Sequence, residues 1–189
     1  MAGRHNLNKI GDSPITRKDL ERLGISRNVL EALIKEDKLL RIGRGVYQLP
    51  NLDLDNESLY RAAIKRIKGK SAVCLMSALS QYNLTDEIPK QTWLLVNADG
   101  RSYHKDIRLY RSRNPNWKIG IVKADGYQIT SLERTIVDAI KLKKKFGNLG
   151  IEALKKALKE KLTTASKIMD MATKLDADEL VLPYLQALT

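Results

Sequence analysis

Cysteine and long apolar runs are scarce in this chain. Cys74 is the one cysteine among 189 residues, which excludes an intrachain disulfide and a cysteine-based zinc site. It lies in the apolar run Ala72–Met76, so we expect a buried, unreactive thiol. No apolar run approaches the ~20 residues that a membrane-spanning helix needs, and residues 1–10 lack the apolar core of a secretory signal. We therefore expect a cytoplasmic protein.

Acidic residues are outnumbered by basic ones. The 34 lysines and arginines exceed the 22 acidic residues by 12, and the isoelectric point is near 9.8. Residues 1–50, 51–140 and 141–189 each carry four more basic than acidic side chains. Such an excess favours a polyanionic partner, because neutralised phosphates release counterions. A basic surface that serves only solubility is the alternative.

The segment 15–49 has the element order of a winged helix-turn-helix. Thr16 and Asp19 have the spacing of a capping box at the start of a helix. Gly24 suits the left-handed position at which that helix ends, and Ser26 is predicted to cap a second helix. The apolar face of the second helix is formed by Val29, Leu30, Leu33 and Ile34.

The opposite stripe of the second helix combines long hydrogen-bond donors with small residues, as a helix in the DNA major groove does. It consists of Arg27, Asn28, Glu31, Ala32 and Lys35. A solvated helix face is the alternative interpretation.

Two short strands follow the second helix. They are predicted over residues 39–42 and 46–49, and the connection Gly43-Arg44-Gly45 permits a tight turn with an arginine at its tip. Such a basic wing can reach a minor groove or the neighbouring phosphates. Only about a dozen residues precede Ile15, so we expect a very short first helix within His5–Ile10.

The rest of the sequence predicts a mixed α+β domain with a small sheet and C-terminal helices. Helices are expected over residues 57–69, 76–82, 151–161, 164–175 and 177–188, and strands over 72–74, 92–96, 107–111, 119–122 and 127–129. Thr130 and Glu133 have the spacing of a capping box for a further helix, which extends to about Lys144. The predicted organisation is a winged helix-turn-helix over residues 1–50, a linker over 51–56 and an α+β domain over 57–189.

Two charge patterns stand out in the last predicted capping-box helix. Arg134 and Asp138 are four residues apart and can pair on one face, either as a structural ion pair or as part of a reactive site. The helix ends in a basic run of Lys141, Lys143, Lys144 and Lys145. These lysines either complement the helix dipole or form a second surface for phosphates or a partner.

Several segments, in order, resemble the AbiEi-type antitoxins of type IV toxin–antitoxin (abortive infection) systems. The resemblance begins with Leu23-Gly-Ile-Ser26, Arg44 and Val46-Tyr47, and continues with Ser77-Ala-Leu79 and the Leu84…Pro89 pair. It ends with Ile129-Thr-Ser-Leu-Glu-Arg-Thr-Ile-Val-Asp138 and covers roughly residues 15–145. The last helices match only in general character.

The resemblance implies a repressor of its own operon that also counters a toxin in phage defence. The N-terminal domain would bind inverted repeats of double-stranded promoter DNA, and the C-terminal domain would oppose a nucleotidyltransferase-like toxin without a stable complex. The candidate DNA contacts on this chain are Arg17, Lys18, Ser26, Arg27, Asn28, Lys35, Arg41 and Arg44. Arg134 and Asp138 lie in the last of the resembling segments and are the hallmark pair of the antitoxin domain, and we expect them to be structural.

No motif predicts an enzyme. The sequence has no glycine-rich phosphate loop, zinc-protease motif or nucleophile elbow, and His5 and His104 lie far apart. The acidic residues Asp86, Glu87, Asp99 and Asp106, with Lys105, lack a spacing diagnostic of a metal-dependent nuclease. We expect no catalytic residues, metal or cofactor. Two alternatives remain open: a nuclease-like or nucleic-acid-modifying enzyme docked by the winged domain, and a module that binds toxin or RNA directly.

Overall fold

The chain is of the mixed α+β class and contains helices and two small sheets. An N-terminal winged helix-turn-helix is followed in sequence by a mixed α/β domain. The computed structural model describes residues 7, 10, 14–43, 45–50, 56–67, 69–112 and 114–188. The predicted first helix within His5–Ile10 falls largely outside the described residues, although Ile10 is buried in an apolar core. No helix in the described part of the chain has both the length and the apolar character needed to cross a membrane.

The chain divides into two compact units, Met1–Lys68 and Gly69–Thr189. The first unit contains, in order, β1 (Ile15–Thr16), α1 (Arg17–Arg22), α2 (Arg27–Lys35), β2 (Leu40–Gly43), β3 (Val46–Gln48) and α3 (Asn56–Arg66). Helix α3 therefore groups with the winged elements, and Lys65 Nζ donates to Pro14 O at 3.1 Å. The predicted domain limits at residues 50 and 57 stay a prediction, because the compact units group residues by proximity and do not define domain boundaries.

The three strands of the first unit form an antiparallel sheet in the order β1-β3-β2. Ile15 pairs with Tyr47, and Leu40 pairs with Gln48. Helices α1 and α2 pack on a core that includes Leu20, Leu30, Leu33, Leu39 and Tyr47. The sheet and the two helices thus share one apolar core, as a winged helix-turn-helix requires.

Local signals set the limits of α1. The Thr16 side chain accepts from Asp19 N at 3.3 Å, and its hydroxyl donates to Asp19 Oδ2 at 2.6 Å. Hydrogen bonds from Thr16 lower the pKa of Asp19 below its usual value, against the effect of its partial burial. Gly24 has a φ of +80° after the helix. The predicted cap and the predicted glycine stop are both confirmed.

The second unit contains a five-stranded mixed sheet in the order β6-β5-β4-β8-β7. Its strands and first helix are β4 (Ser71–Val73), α4 (Leu75–Gln81), β5 (Thr92–Val96), β6 (Ile107–Arg111), β7 (Ile121–Ala124) and β8 (Tyr127–Thr130). Strand β7 begins two residues later than predicted. Turns occupy residues 115–120 instead, with Ile119 N donating to Asn116 O and Ile121 N to Lys118 O.

The remaining helices are α5 (Leu132–Lys141), α6 (Lys143–Phe146), α7 (Leu149–Lys159), α8 (Ala165–Lys174) and α9 (Asp178–Leu188). The cap of α5 is Ser131, which accepts from Arg134 N, so the prediction of Thr130 as the cap was wrong. Thr130 ends β8, and its hydroxyl lies 2.7 Å from that of Thr135. The predicted single helix to Lys144 was also wrong, because it breaks at Leu142, where Leu142 and Phe146 pack against a second apolar cluster.

Helix α5 is the centre of the second unit. Ile136 and Ile140 are fully buried among Leu154 of α7, Ile168 of α8 and Val181 of α9. Helix α7 approaches α5 closely at Gly150, where an added Cβ would lie 2.6 Å from Ile140 N. Since the neighbour is backbone, it cannot move aside as a flexible side chain would.

We expect Gly150→Ala to destabilise the second unit. Gly150 is the second residue of α7, where the gain from alanine is at most about 1 kcal/mol, the value for a helix interior. Overpacking against backbone costs about 1–3 kcal/mol. The free energy of unfolding is measured by urea denaturation followed by tryptophan fluorescence, since both tryptophans, Trp93 and Trp117, lie in this unit. Glu152→Ala, at an exposed position of the same helix, is the control. A stabilised Gly150→Ala variant would contradict the close approach.

Candidate nucleic-acid interface

Helix α2 has one buried and one exposed face. Leu30 and Leu33 are buried in the core of the first unit. The five residues of the predicted reading stripe are all exposed: Arg27, Asn28, Glu31, Ala32 and Lys35. Packing on the sheet therefore leaves the whole stripe accessible to a partner.

The start of α2 is electropositive. Ser26 occupies the cap position and is exposed, but its side chain makes no capping hydrogen bond, contrary to expectation. The first turn contains no acidic residue, and Arg27 is its first member. A cation at the positive end of the helix dipole is unfavourable for the helix, whereas free N–H groups and positive charge suit a phosphate or the electronegative edge of a base.

An ion pair orders part of the stripe. Arg27 Nε donates to Glu31 Oε1 at 3.0 Å, and the two side chains are 71% and 63% exposed. The terminal nitrogens of Arg27 have no partner among the described residues. The sequence pattern identified Arg27 as a donor but did not assign a role to Glu31. The two residues are four apart, and this spacing was sufficient to predict their ion pair.

Helix α1 contributes Arg17 and Lys18. Lys18 is exposed, and Arg17 Nε donates to Glu21 Oε1 at 2.9 Å. The backbone N of Arg17 donates to Gly45 O at 2.9 Å. This bond attaches the start of α1 to the connection between the wing strands.

The wing presents Arg41, which is exposed and whose Nε lies 3.4 Å from Gly43 O. Gly45 has a φ of +75°, a conformation that the wing turn requires and that glycine adopts without strain. Arg44 lies outside the described residues, so its contact with DNA stays a prediction.

Arg134 and Asp138 form a buried ion pair in the second unit. Arg134 Nε donates to Asp138 Oδ2 at 2.6 Å, and each side chain is 3% exposed. Arg134 Nη1 also donates to Ile119 O at 2.5 Å and to Trp117 O at 3.4 Å. Burial raises the pKa of Asp138 above its usual value, while the guanidinium acts in the opposite direction. The guanidinium thus joins α5 to the turns that precede β7.

Three lysines of the predicted second basic surface have neighbours within their own unit. Lys141 Nζ donates to Leu175 O at 2.7 Å, and Lys143 Nζ donates to Tyr184 Oη at 3.2 Å. Lys145 Nζ lies 4.4 Å from the centre of the Trp93 ring, and burial and Arg108 lower its pKa below the usual value. Lys144 is exposed and makes no such contact within the described chain. A phosphate-binding role for this run stays a prediction.

The sequence pattern missed the pairing of Trp93 with Arg108. These residues are directly opposite each other on β5 and β6, and the guanidinium lies 5.8 Å from the ring centre. Strand pairing brings them together across fifteen positions of sequence, so no local signal marks the contact.

The candidate acidic residues do not form a cluster. Asp86, Glu87, Asp99 and Asp106 are exposed, and His104 is half-buried. No group of three histidine, cysteine or acidic residues in the described part of the chain has the arrangement of a metal site; His5 lies outside that part. Cys74 is buried, and burial raises the pKa of its thiol well above the usual value. The expected unreactive thiol is consistent with this environment.

Residues 9–50 match the model of a protein family described as "Transcriptional regulator, AbiEi antitoxin". The match confirms the resemblance to AbiEi-type antitoxins over the winged part of the first unit, and the resemblance of the segments after residue 50 stays a prediction. A family of transcriptional regulators implies DNA binding. No curated protein matches the chain.

We expect Asp138→Asn to destabilise the second unit by about 3–5 kcal/mol, because it leaves the Arg134 charge buried without its partner. Urea denaturation followed by tryptophan fluorescence measures the change. Asp170→Asn removes an exposed carboxylate from α8 of the same unit and serves as the control, with an expected effect within about 0.5 kcal/mol. Equal stability of the two variants would show that the pair has no structural role.

Proposed function

We propose that this chain is the antitoxin of a type IV toxin–antitoxin system and represses its own operon by binding promoter DNA. The observation that carries the proposal is the stripe of α2, whose five residues are all exposed and lie within the region that matches the AbiEi family. The stripe also belongs to a winged helix-turn-helix, a fold that favours the same partner. Since promoter DNA is the partner, we also propose a cytoplasmic location.

Helix α2 would enter the major groove. A helix of nine residues fits the groove, which is about 12 Å wide, and the first residues of such a helix usually contact the base edges. Arg27 and Asn28 lie at that end, and Lys35 lies at the other end, where it would approach the phosphates. The exposed carboxamide of Asn28 can pair with N6 and N7 of adenine.

The other candidate residues would set the position of the unit on DNA through phosphates. Lys18 and Arg17 lie at the start of α1, Arg41 lies on the wing strand β2, and Arg44 is expected at the wing tip. Ser26 offers a hydroxyl that is free of any capping bond. Phosphate contacts orient a protein on the duplex, whereas contacts with base edges determine the sequence that is chosen. Inverted repeats in the promoter would each bind one copy of the chain.

The second unit would carry the antitoxin activity. The family match covers residues 9–50, so the assignment of this role to the second unit rests on the resemblance of its own sequence segments. We propose that it opposes a nucleotidyltransferase-like toxin without forming a stable complex, as part of an abortive-infection response to phage.

Lys18→Ala and Asn28→Ala should affect DNA binding differently. Loss of a phosphate contact at Lys18 should weaken binding to all duplexes and reduce the log–log salt slope by about 0.9. Loss of a base contact at Asn28 should cost about 1–3 kcal/mol on the preferred site and relax the preference at one position. Titrations of promoter and unrelated duplexes over a range of salt concentrations measure both effects.

Lys174→Ala removes an exposed lysine from α8 of the second unit and is the matched control for charge. Wild-type-like binding by both first-unit variants would contradict the assignment of the reading surface.

Repression and antitoxicity should be separable. The double variant Asn28→Ala/Lys35→Ala should lose repression of a promoter fusion, because it lacks two contacts of α2. It should still restore growth when expressed with a nucleotidyltransferase encoded beside its gene, because the second unit is unchanged. If the wild-type chain represses the promoter but does not restore growth, the antitoxin part of the proposal is wrong and the chain is a DNA-binding regulator only.

A further inference from the structure

Glu31 is the one carboxylate in the exposed stripe of α2. An acidic side chain on a surface that approaches phosphates repels the ligand, so its presence there requires a reason. Packing is not the reason, because the side chain is 63% exposed and its ion pair is with an equally accessible arginine.

Helix stability is a poor explanation of the Arg27–Glu31 pair. Ion pairs on helices are more favourable when the acid precedes the base, because that order complements the helix dipole. Helix α3 has the favourable order, with Glu57 four residues before Arg61 and 2.8 Å between the charged atoms. Helix α2 has the opposite order and places the arginine at its first position. Helix α1, which also carries candidate DNA contacts, has the same order in its Arg17–Glu21 pair.

The bond to Glu31 leaves a specific part of the guanidinium available. It uses Nε of Arg27, and the terminal nitrogens Nη1 and Nη2 remain as two parallel donors. Their spacing matches O6 and N7 of guanine in the major groove. A held guanidinium also loses less side-chain entropy on binding than a free one.

We propose that Glu31 is a positioning residue, which holds Arg27 so that its terminal nitrogens read a guanine in each operator half-site. The inference rests on the proposed DNA-binding function and adds the base that the first turn of α2 recognises. It also explains why an acidic residue lies in the stripe. Glu31 repels the phosphates of DNA, but it accepts the hydrogen bond that holds Arg27 in place.

The test is a selection of binding sites from a randomised duplex library, using the full chain. Four variants are compared with the wild type: Glu31→Ala, Arg27→Lys, Arg27→Ala and the control Glu21→Ala. Glu21 forms the matching exposed pair with Arg17 on α1 at 2.9 Å, so its removal changes the charge equally without touching the reading stripe. Circular dichroism melts show that each variant is folded.

The wild type should prefer guanine at one position of the half-site by on the order of 10- to 100-fold, the usual range for a bidentate contact. Glu31→Ala and both Arg27 variants should lose most of that preference at the same position. Glu31→Ala should bind unrelated duplexes more tightly, because it removes a negative charge. Glu21→Ala should do the same but keep the guanine preference.

Three outcomes would overturn the inference. If Glu31→Ala changes affinity evenly and alters no base preference, Glu31 does not position Arg27. If Arg27→Lys and Arg27→Ala keep a preference that Glu31→Ala loses, Glu31 reads a cytosine itself. If the wild type selects no sequence at all, the proposed function fails and this inference fails with it, whereas the first two results leave the proposed function standing.

Discussion

The two faces of helix α2 are the constraint on which the first unit depends. Leu30 and Leu33 must fill the core against the three-stranded sheet, and the remaining positions must stay accessible. Because a helix repeats every 3.6 residues, burying this apolar pair fixes which side chains face outward. The exposed stripe is therefore a consequence of core packing, and a change in the core would rotate the residues that we propose to contact DNA.

The two units treat their main helices differently. Helix α5 begins with a bonded Ser131 cap and contains Glu133 in its first turn, so its dipole is complemented. Helix α2 begins with an unbonded Ser26 and with Arg27. Local rules that favour stability are followed in α5, which is a structural centre, and are broken in α2, which we propose to face DNA. Departures of this kind are common at functional surfaces.

Local signals in the sequence predicted most of the winged region. The Thr16 cap, the Gly24 stop and the apolar spacing of α2 act within a few residues, so they can be interpreted without the fold. Long-range contacts were not predictable in this way. The helix break falls at Leu142, which packs against an apolar cluster from distant parts of the chain. Strand pairing alone places Arg108 beside Trp93. Likewise, the carbonyl partners of Arg134 lie fifteen and seventeen residues away.

The buried position of Arg134 affects what its motif can indicate. A side chain that is 3% exposed and bonded to a carboxylate and two backbone carbonyls cannot reach a ligand without unfolding its surroundings. The motif from Ile129 to Asp138 therefore indicates a fold in which a guanidinium joins α5 to the preceding turns, and it identifies no reactive group. The antitoxin activity that we propose for the second unit is therefore to be sought among exposed residues of that unit, away from the buried Arg134–Asp138 pair.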